Sequence, residues 1–154
     1  MAESRNGPVP GPSGPIAYPG TLPGSATNDA VFTAGTIFPS ASRVAAAYTS
    51  QEFINAGARG IRIYTSNDAA GGSTATVKIQ VRMPGTTNWT DLAGAATAAL
   101  GSVTGSIMTV YPGLTGIADS TGITINQHLG CSWRIVLTIG TATGTSAVAA
   151  DYLL

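Results

Sequence analysis

The sequence predicts an all-β protein, an antiparallel β-sandwich of the jelly-roll or Ig-like kind that follows an extended arm. From residue 31 onward, short runs rich in β-branched and aromatic residues are each closed by turn residues. Turn signals recur every ten to fifteen residues or so, roughly as they do in sandwiches. Residues 6–24 instead hold six prolines and five glycines. We therefore divide the chain into an arm, residues 1–30, and a sandwich domain, residues 31–154.

The arm has the composition of an extended segment. Closely spaced prolines fix φ and remove backbone donors, which excludes a helix or a central strand. A collagen triple helix needs glycine at every third position, but Ala17 breaks the period of Gly11 and Gly14. We expect an arm that docks on a partner, with a solvated linker as the alternative. The expected docking residues are Pro8, Pro10, Pro12, Pro15, Ile16, Tyr18, Pro19, Leu22 and Pro23.

Six runs carry strand signals, and two of them alternate clearly. In residues 76–82 the apolar Val77, Ile79 and Val81 alternate with polar side chains, as in a half-buried strand. In residues 131–140, Trp133 shares one apolar face with Ile135, Leu137 and Ile139, so we expect Trp133 in the core. The runs are residues 43–55, 59–66, 73–83, 106–113, 131–140 and 145–154.

Two stretches are ambiguous. The alanines of residues 91–101 favour a short helix, but two glycines and the flanking strand signals favour a loop with an edge strand. Residues 115–130 are typical of a long connection with at most a brief strand at 123–126. Cys131, the single cysteine, is expected at the start of a buried strand, where it would act as a small apolar residue.

Charge is scarce in this chain and cancels. Charged residues are 9% of the sequence, against about 25% in an average soluble protein, and seven acidic residues balance seven basic ones. Because no net field attracts a polyanion, we expect neither nucleic acid nor a membrane as a partner. The N-terminus also lacks an apolar signal-peptide region. A surface so weakly charged favours association, so we expect other protein chains to cover much of it.

No motif for catalysis or cofactor binding emerges. His128 is the only histidine, and the carboxylates are scattered along the chain, so we expect no enzyme, no catalytic residue, no metal and no cofactor. Trp89 lies in a predicted turn, where it acts either as a capping hydrophobic residue or as an exposed contact. Tyr111 and His128 are the other candidate exposed contacts.

The strand and turn segments resemble a family of phage proteins. ARGIRIYTSNDAAGGSTATVKIQVRM, the turn before NWTDL, MTVYPGL and the final pair around WRI are similar to tailed-bacteriophage head decoration proteins, also called capsid cement proteins. The likeness covers about residues 40–154, and the Pro-rich leader departs from the shorter members. The resemblance implies a β-sandwich on the outside of the capsid in the virion, assembled in the host cytoplasm. It also implies a symmetric homo-oligomer, for which we expect a trimer in preference to a dimer. It also implies the major capsid protein as partner and no active-site residues.

Three functions therefore compete. The leading hypothesis is a decoration protein that stabilises the shell, with an arm that ties it to the capsid or to sister subunits. The alternative within the virion is a head-fibre or tail module that recognises a host-surface glycan. The third is a non-viral binding module or an enzyme.

Overall fold

The computed structural model describes residues 35–55, 57–115 and 122–153. Within them the regular secondary structure is β-strand, as predicted, apart from one turn of 3-10 helix at Ala70–Gly72. The strands are β1 (Gly35–Arg43), β2 (Ala47–Thr49), β3 (Phe53–Ile54), β4 (Gly60–Asp68), β5 (Ala75–Arg82), β6 (Trp89–Ala96), β7 (Val103–Val110), β8 (Gly122–Ile125), β9 (Ser132–Ile139) and β10 (Gly144–Leu153). The predicted arm, with its boundary at residue 30, lies outside the described residues.

The strands form two sheets. Sheet A has the order β1-β10-β4-β7-β8, while sheet B has the order β2-β9-β5-β6 with β3 also paired to β9. Neighbours pair antiparallel, as predicted, except that β8 runs parallel to β7. Residues 111–121 separate β7 from β8 in the sequence. The brief strand predicted at 123–126 is present as β8, one residue earlier.

One hydrophobic cluster fills the space between the sheets. Ile61 and Ile63 of sheet A and Val77 and Ile79 of sheet B are all fully buried within it. The predicted alternation in β5 is confirmed, because its polar residues lie on the opposite, more exposed face. Trp133 is also fully buried, as expected.

Trp133 joins the two sheets at one end of the molecule. Its ring stacks on that of Phe53 with centroids 4.6 Å apart and meets Tyr152 edge-on at 5.9 Å. Its Nε1 donates a hydrogen bond of 3.2 Å to Tyr152 Oη. We call this end, where β4 and β9 begin and β7 and β10 finish, the Trp133 end.

The segment 43–55 is not one strand, contrary to the sequence prediction. Arg43 ends β1, and the segment then supplies two short strands, β2 and β3, that pair with β9. Between them Ser50 stays bonded to β9, since its backbone amide donates to the Ile135 carbonyl oxygen and its Oγ accepts a hydrogen bond from the Ile135 amide, both at 2.9 Å. The sequence prediction also missed most of β1, because Pro39 within it is a residue that strands accept mainly at sheet edges and bulges.

Residues 89–96 form an edge strand, β6, which resolves the ambiguity over the alanine-rich stretch. The ladder is irregular between Lys78 and Gln80, where β6 carries extra residues. Gly94 lies in this bulge with φ of 76°, a left-handed conformation that favours glycine. The bulge leaves Ala95 buried in the core.

Cys131 is exposed and precedes β9, so the prediction of a buried cysteine was wrong. The burial of β9 begins at Ser132. Asn55 lies beside Cys131, and its backbone amide donates a 2.7 Å hydrogen bond to the Cys131 carbonyl oxygen. The residue therefore belongs to the loops of the Trp133 end and not to the core.

Candidate docking surfaces

The outer face of sheet A has no charge at its centre. Tyr64 lies between Ala149 on β10 and Ile107 on β7, and Ser66 lies opposite Ala147. Ile107 is 39% exposed, which is high for a large aliphatic side chain within a sheet. The charged residues of this face are at its margins: Arg62 and Asp151 are cross-strand neighbours near the Trp133 end, and Asp68 ends β4 at the opposite end.

The outer face of sheet B has the opposite character. Asp91 accepts hydrogen bonds from Lys78 at 2.8 Å and from Gln80 at 2.7 Å. Gln80 in turn accepts one from Arg134 at 2.8 Å. The hydrogen bond from Lys78, followed by that from Gln80, lowers the pKa of the Asp91 carboxyl group below its ordinary value. A second ion pair, Arg82 with Glu52 at 2.9 Å, extends this charged face toward the Trp133 end.

The charges of the described chain are therefore distributed unequally between the two sheets. Mutually paired charges suit a solvated face, because each ion keeps its partner and its water. A face with an uncharged centre loses little hydration when it is covered by another protein. The outer face of sheet A is the better candidate for a docking surface.

The Trp133 end carries a second group of exposed apolar side chains. Ile54 pairs with Ser132 at the start of β9, and Val81, two residues before Met83, pairs with Trp133. Leu114 follows the end of β7. Ile54, Met83 and Leu114 are 40%, 51% and 38% exposed, and they are three of the five large hydrophobic residues exposed in the described chain.

Trp89, Tyr111 and His128, the predicted exposed contacts, all lie near the Trp133 end, but they differ in exposure. The half-buried Trp89 ring lies against the guanidinium group of Arg134, 4.2 Å from the ring centre. Tyr111 is also half-buried, with the Arg59 guanidinium 5.2 Å from its ring centre. Only His128 is exposed. The predicted docking residues of the arm, Pro8, Pro10, Pro12, Pro15, Ile16, Tyr18, Pro19, Leu22 and Pro23, lie outside the described residues.

Sequence reasoning missed the apolar residues that the structure leaves exposed. Ile107 lies in a run of strand residues whose alternation is blurred by serine and threonine. Met83 precedes a Pro-Gly turn, a position from which exposure could have been expected. No local signal distinguishes Ile54 or Leu114, because their exposure depends on which strands become neighbours.

The described residues contain neither a cluster of metal-ligating side chains nor a helix that could cross a bilayer. No three of their histidine, cysteine, aspartate and glutamate side chains come together as ligands of one ion. No helix in residues 35–55, 57–115 and 122–153 has the length and apolar character needed to cross a bilayer.

Comparisons of the chain with protein-family models, with curated proteins and with solved structures find no match.

Proposed function

We propose that the protein is a structural virion protein that binds the outside of a phage capsid and stabilises the shell. One observation carries the proposal: the outer face of sheet A is uncharged at its centre and exposes Ile107, while the outer face of sheet B holds paired charges. This asymmetry supports a protein with one covered side and one solvated side. The resemblance to head decoration proteins supplies the class of partner, the major capsid protein.

The size of the face explains why an arm would be needed. The five strands of sheet A contain 9, 10, 9, 8 and 4 residues. At about 3.3 Å per residue and about 4.8 Å between strands, their outer face presents roughly 600 Å². Stable complexes bury about 800 Å² on each partner. A second contact through residues 1–30, made with the shell or with a sister subunit bound beside it, raises the affinity for the shell through effective concentration without a tighter primary site. The prolines of the arm reduce the entropy lost when it orders on a partner.

Reconstitution on purified shells tests this function. Particles that lack the protein should rupture at a lower temperature and under milder osmotic shock than particles to which the full chain has been added. A chain that starts at residue 30 should occupy the shells less completely at the same concentration. Equal rupture temperatures with and without the bound chain would overturn the stabilising role, and equal occupancy without the arm would overturn the role of the arm.

Glycan recognition is the second candidate, and the surroundings of Trp89 favour it. The half-buried indole lies beside the hydrogen-bonded row of Asp91, Gln80 and Arg134 on the solvated face of sheet B. Aromatic rings next to convergent polar groups are typical of sugar-binding sites. A glycan array tests this candidate: binding that Trp89→Ala abolishes and that Val44→Ala preserves would favour it, and absence of binding by the wild-type chain would exclude it for the glycans on the array.

A further inference from the structure

The Trp133 end exposes apolar surface that neither the core nor the proposed capsid face uses. Ile54 and Met83 lie on the sheet B side of this end, and Leu114 lies on the sheet A side. The loop 126–131 connects the two sides, and Asn126 Oδ1 accepts a 2.7 Å hydrogen bond from the Gly113 amide. Exposed apolar groups collected at one end of a β-domain mark an interaction site.

The arm joins the folded body at this same end. Gly35, the first described residue, pairs with Ala150, three residues before the end of β10. From there β1 runs toward the opposite end, so residues 1–34 connect to the body at the Trp133 end. The twelve residues 23–34 can span about 40 Å when extended, which exceeds the length of about 33 Å of a ten-residue strand such as β10. Residues 16–22 are thus able to reach beyond the body to which they belong.

The sequence of residues 16–22 fits an apolar surface. It contains Ile16, Tyr18 and Leu22, and residues 6–28 carry no charged side chain. A fully extended seven-residue segment is about 23 Å long, enough to cross two sheets packed about 10 Å apart together with their flanking loops.

We infer that residues 16–22 of one copy cover the Trp133 end of a second copy, so that exchanged arms hold the homo-oligomer together. The segment contributes its three apolar side chains, and the receiving end contributes Ile54, Met83 and Leu114. This inference names a sister chain as the partner of the arm and does not depend on the proposed capsid function, since both partners are this protein.

The single native cysteine makes the inference testable, because Cys131 lies beside Asn55 at the receiving end. Full-length Tyr18→Cys/Cys131→Ser chains are mixed with wild-type chains that carry an affinity tag, and the mixture is oxidised mildly. Cross-links between a tagged and an untagged chain then require that the arm of one copy lie near Cys131 of another. A docked arm provides an effective concentration of about 1 mM, so at about 10 µM protein we expect roughly 100-fold more cross-link than from random collision.

A matched control moves the acceptor cysteine to the opposite end. Thr141 is exposed in the turn between β9 and β10, so tagged Cys131→Ser/Thr141→Cys chains replace the wild-type chains. We expect the control to form cross-links only at the collision level. Equal cross-linking in both mixtures, or none with Cys131, would overturn the inference. So would Tyr18→Cys chains with native Cys131 that cross-link exclusively within one chain.

Light scattering provides a second measurement that needs no cysteine. The triple variant Ile54→Ser, Met83→Ser and Leu114→Ser changes exposed side chains, so the fold should be retained. We expect the wild-type chain to have the mass of an oligomer, and the triple variant and a chain that starts at residue 30 to have the mass of a monomer. A monomeric wild-type chain, or oligomers that persist in both variants, would contradict arm exchange. Either result would leave the capsid function to be decided by the shell reconstitution.

Discussion

Arg43 donates hydrogen bonds to both the backbone carbonyl oxygen and the hydroxyl oxygen of Ser146, and so fastens the edge strand β1 to β10. The same guanidinium group donates to the carbonyl oxygens of Pro39 at 2.8 Å and Ala41 at 3.1 Å. The ladder between β1 and β10 is irregular between Thr36 and Ala41, so these side-chain bonds support the part of β1 where backbone pairing is interrupted. If the arm transmits load to the body, it does so through this strand.

Loss of the Arg43 guanidinium should therefore destabilise the fold. Arg43→Met keeps much of the apolar length but removes the buried hydrogen bonds to the carbonyl and hydroxyl oxygens of Ser146, at an expected cost of about 2–3 kcal/mol in the free energy of unfolding. Urea denaturation measures this change. The control is Arg62→Met on the exposed face of β4, for which we expect a change within about 0.5 kcal/mol. Equal effects of the two substitutions would contradict the fastening role.

Gly60 should not tolerate a side chain. A Cβ atom at this position would lie 2.2 Å from the Val110 carbonyl oxygen and 2.8 Å from the Tyr111 ring. Because a backbone atom cannot move aside cheaply, we expect Gly60→Ala to lower the free energy of unfolding by about 2–3 kcal/mol. Gly105→Ala in β7 is the matched control, since its Cβ would meet no atom within 4 Å. Thermal denaturation of both variants checks this, and a fully stable Gly60→Ala chain would show that the close approach is absent.

Tyr152 should make stability depend on pH in the alkaline range. Burial raises the pKa of its phenol above the ordinary value of 10.0, although the hydrogen bond from Trp133 partly opposes this. The folded state therefore keeps the proton when the unfolded chain releases it, so this contribution is complete below pH 10 and declines as the pH rises through the higher folded pKa. The free energy of unfolding of the wild-type chain, relative to Tyr152→Phe, should fall over that range. Parallel pH profiles for the two chains would contradict the prediction.

The extent of the sequence prediction follows from the range of the interactions involved. The alternation of β5 and β9 is a local pattern, so both strands and the burial of Trp133 were predictable. The course of β1 was not, because Arg43 and the backbone of Ser146 that supports it are 103 residues apart. The uncharged face of sheet A could not be predicted either. Tyr64, Ile107 and Ala149 become neighbours only through the strand order of that sheet, which hydrophobic periodicity does not encode.

The central claim is that the protein acts with the outer face of sheet A covered. The most direct test measures how completely two variants, each with one added carboxylate, occupy purified shells. Ile107→Glu places a carboxylate on that face, and Val44→Glu makes the same chemical change at a 62% exposed aliphatic residue between β1 and β2. Both chains should fold, since both positions are exposed. We expect Val44→Glu to occupy shells like the wild-type chain and Ile107→Glu to lose about tenfold or more in affinity, as expected for a charge buried without a partner. Equal occupancy by the two variants would contradict the central claim.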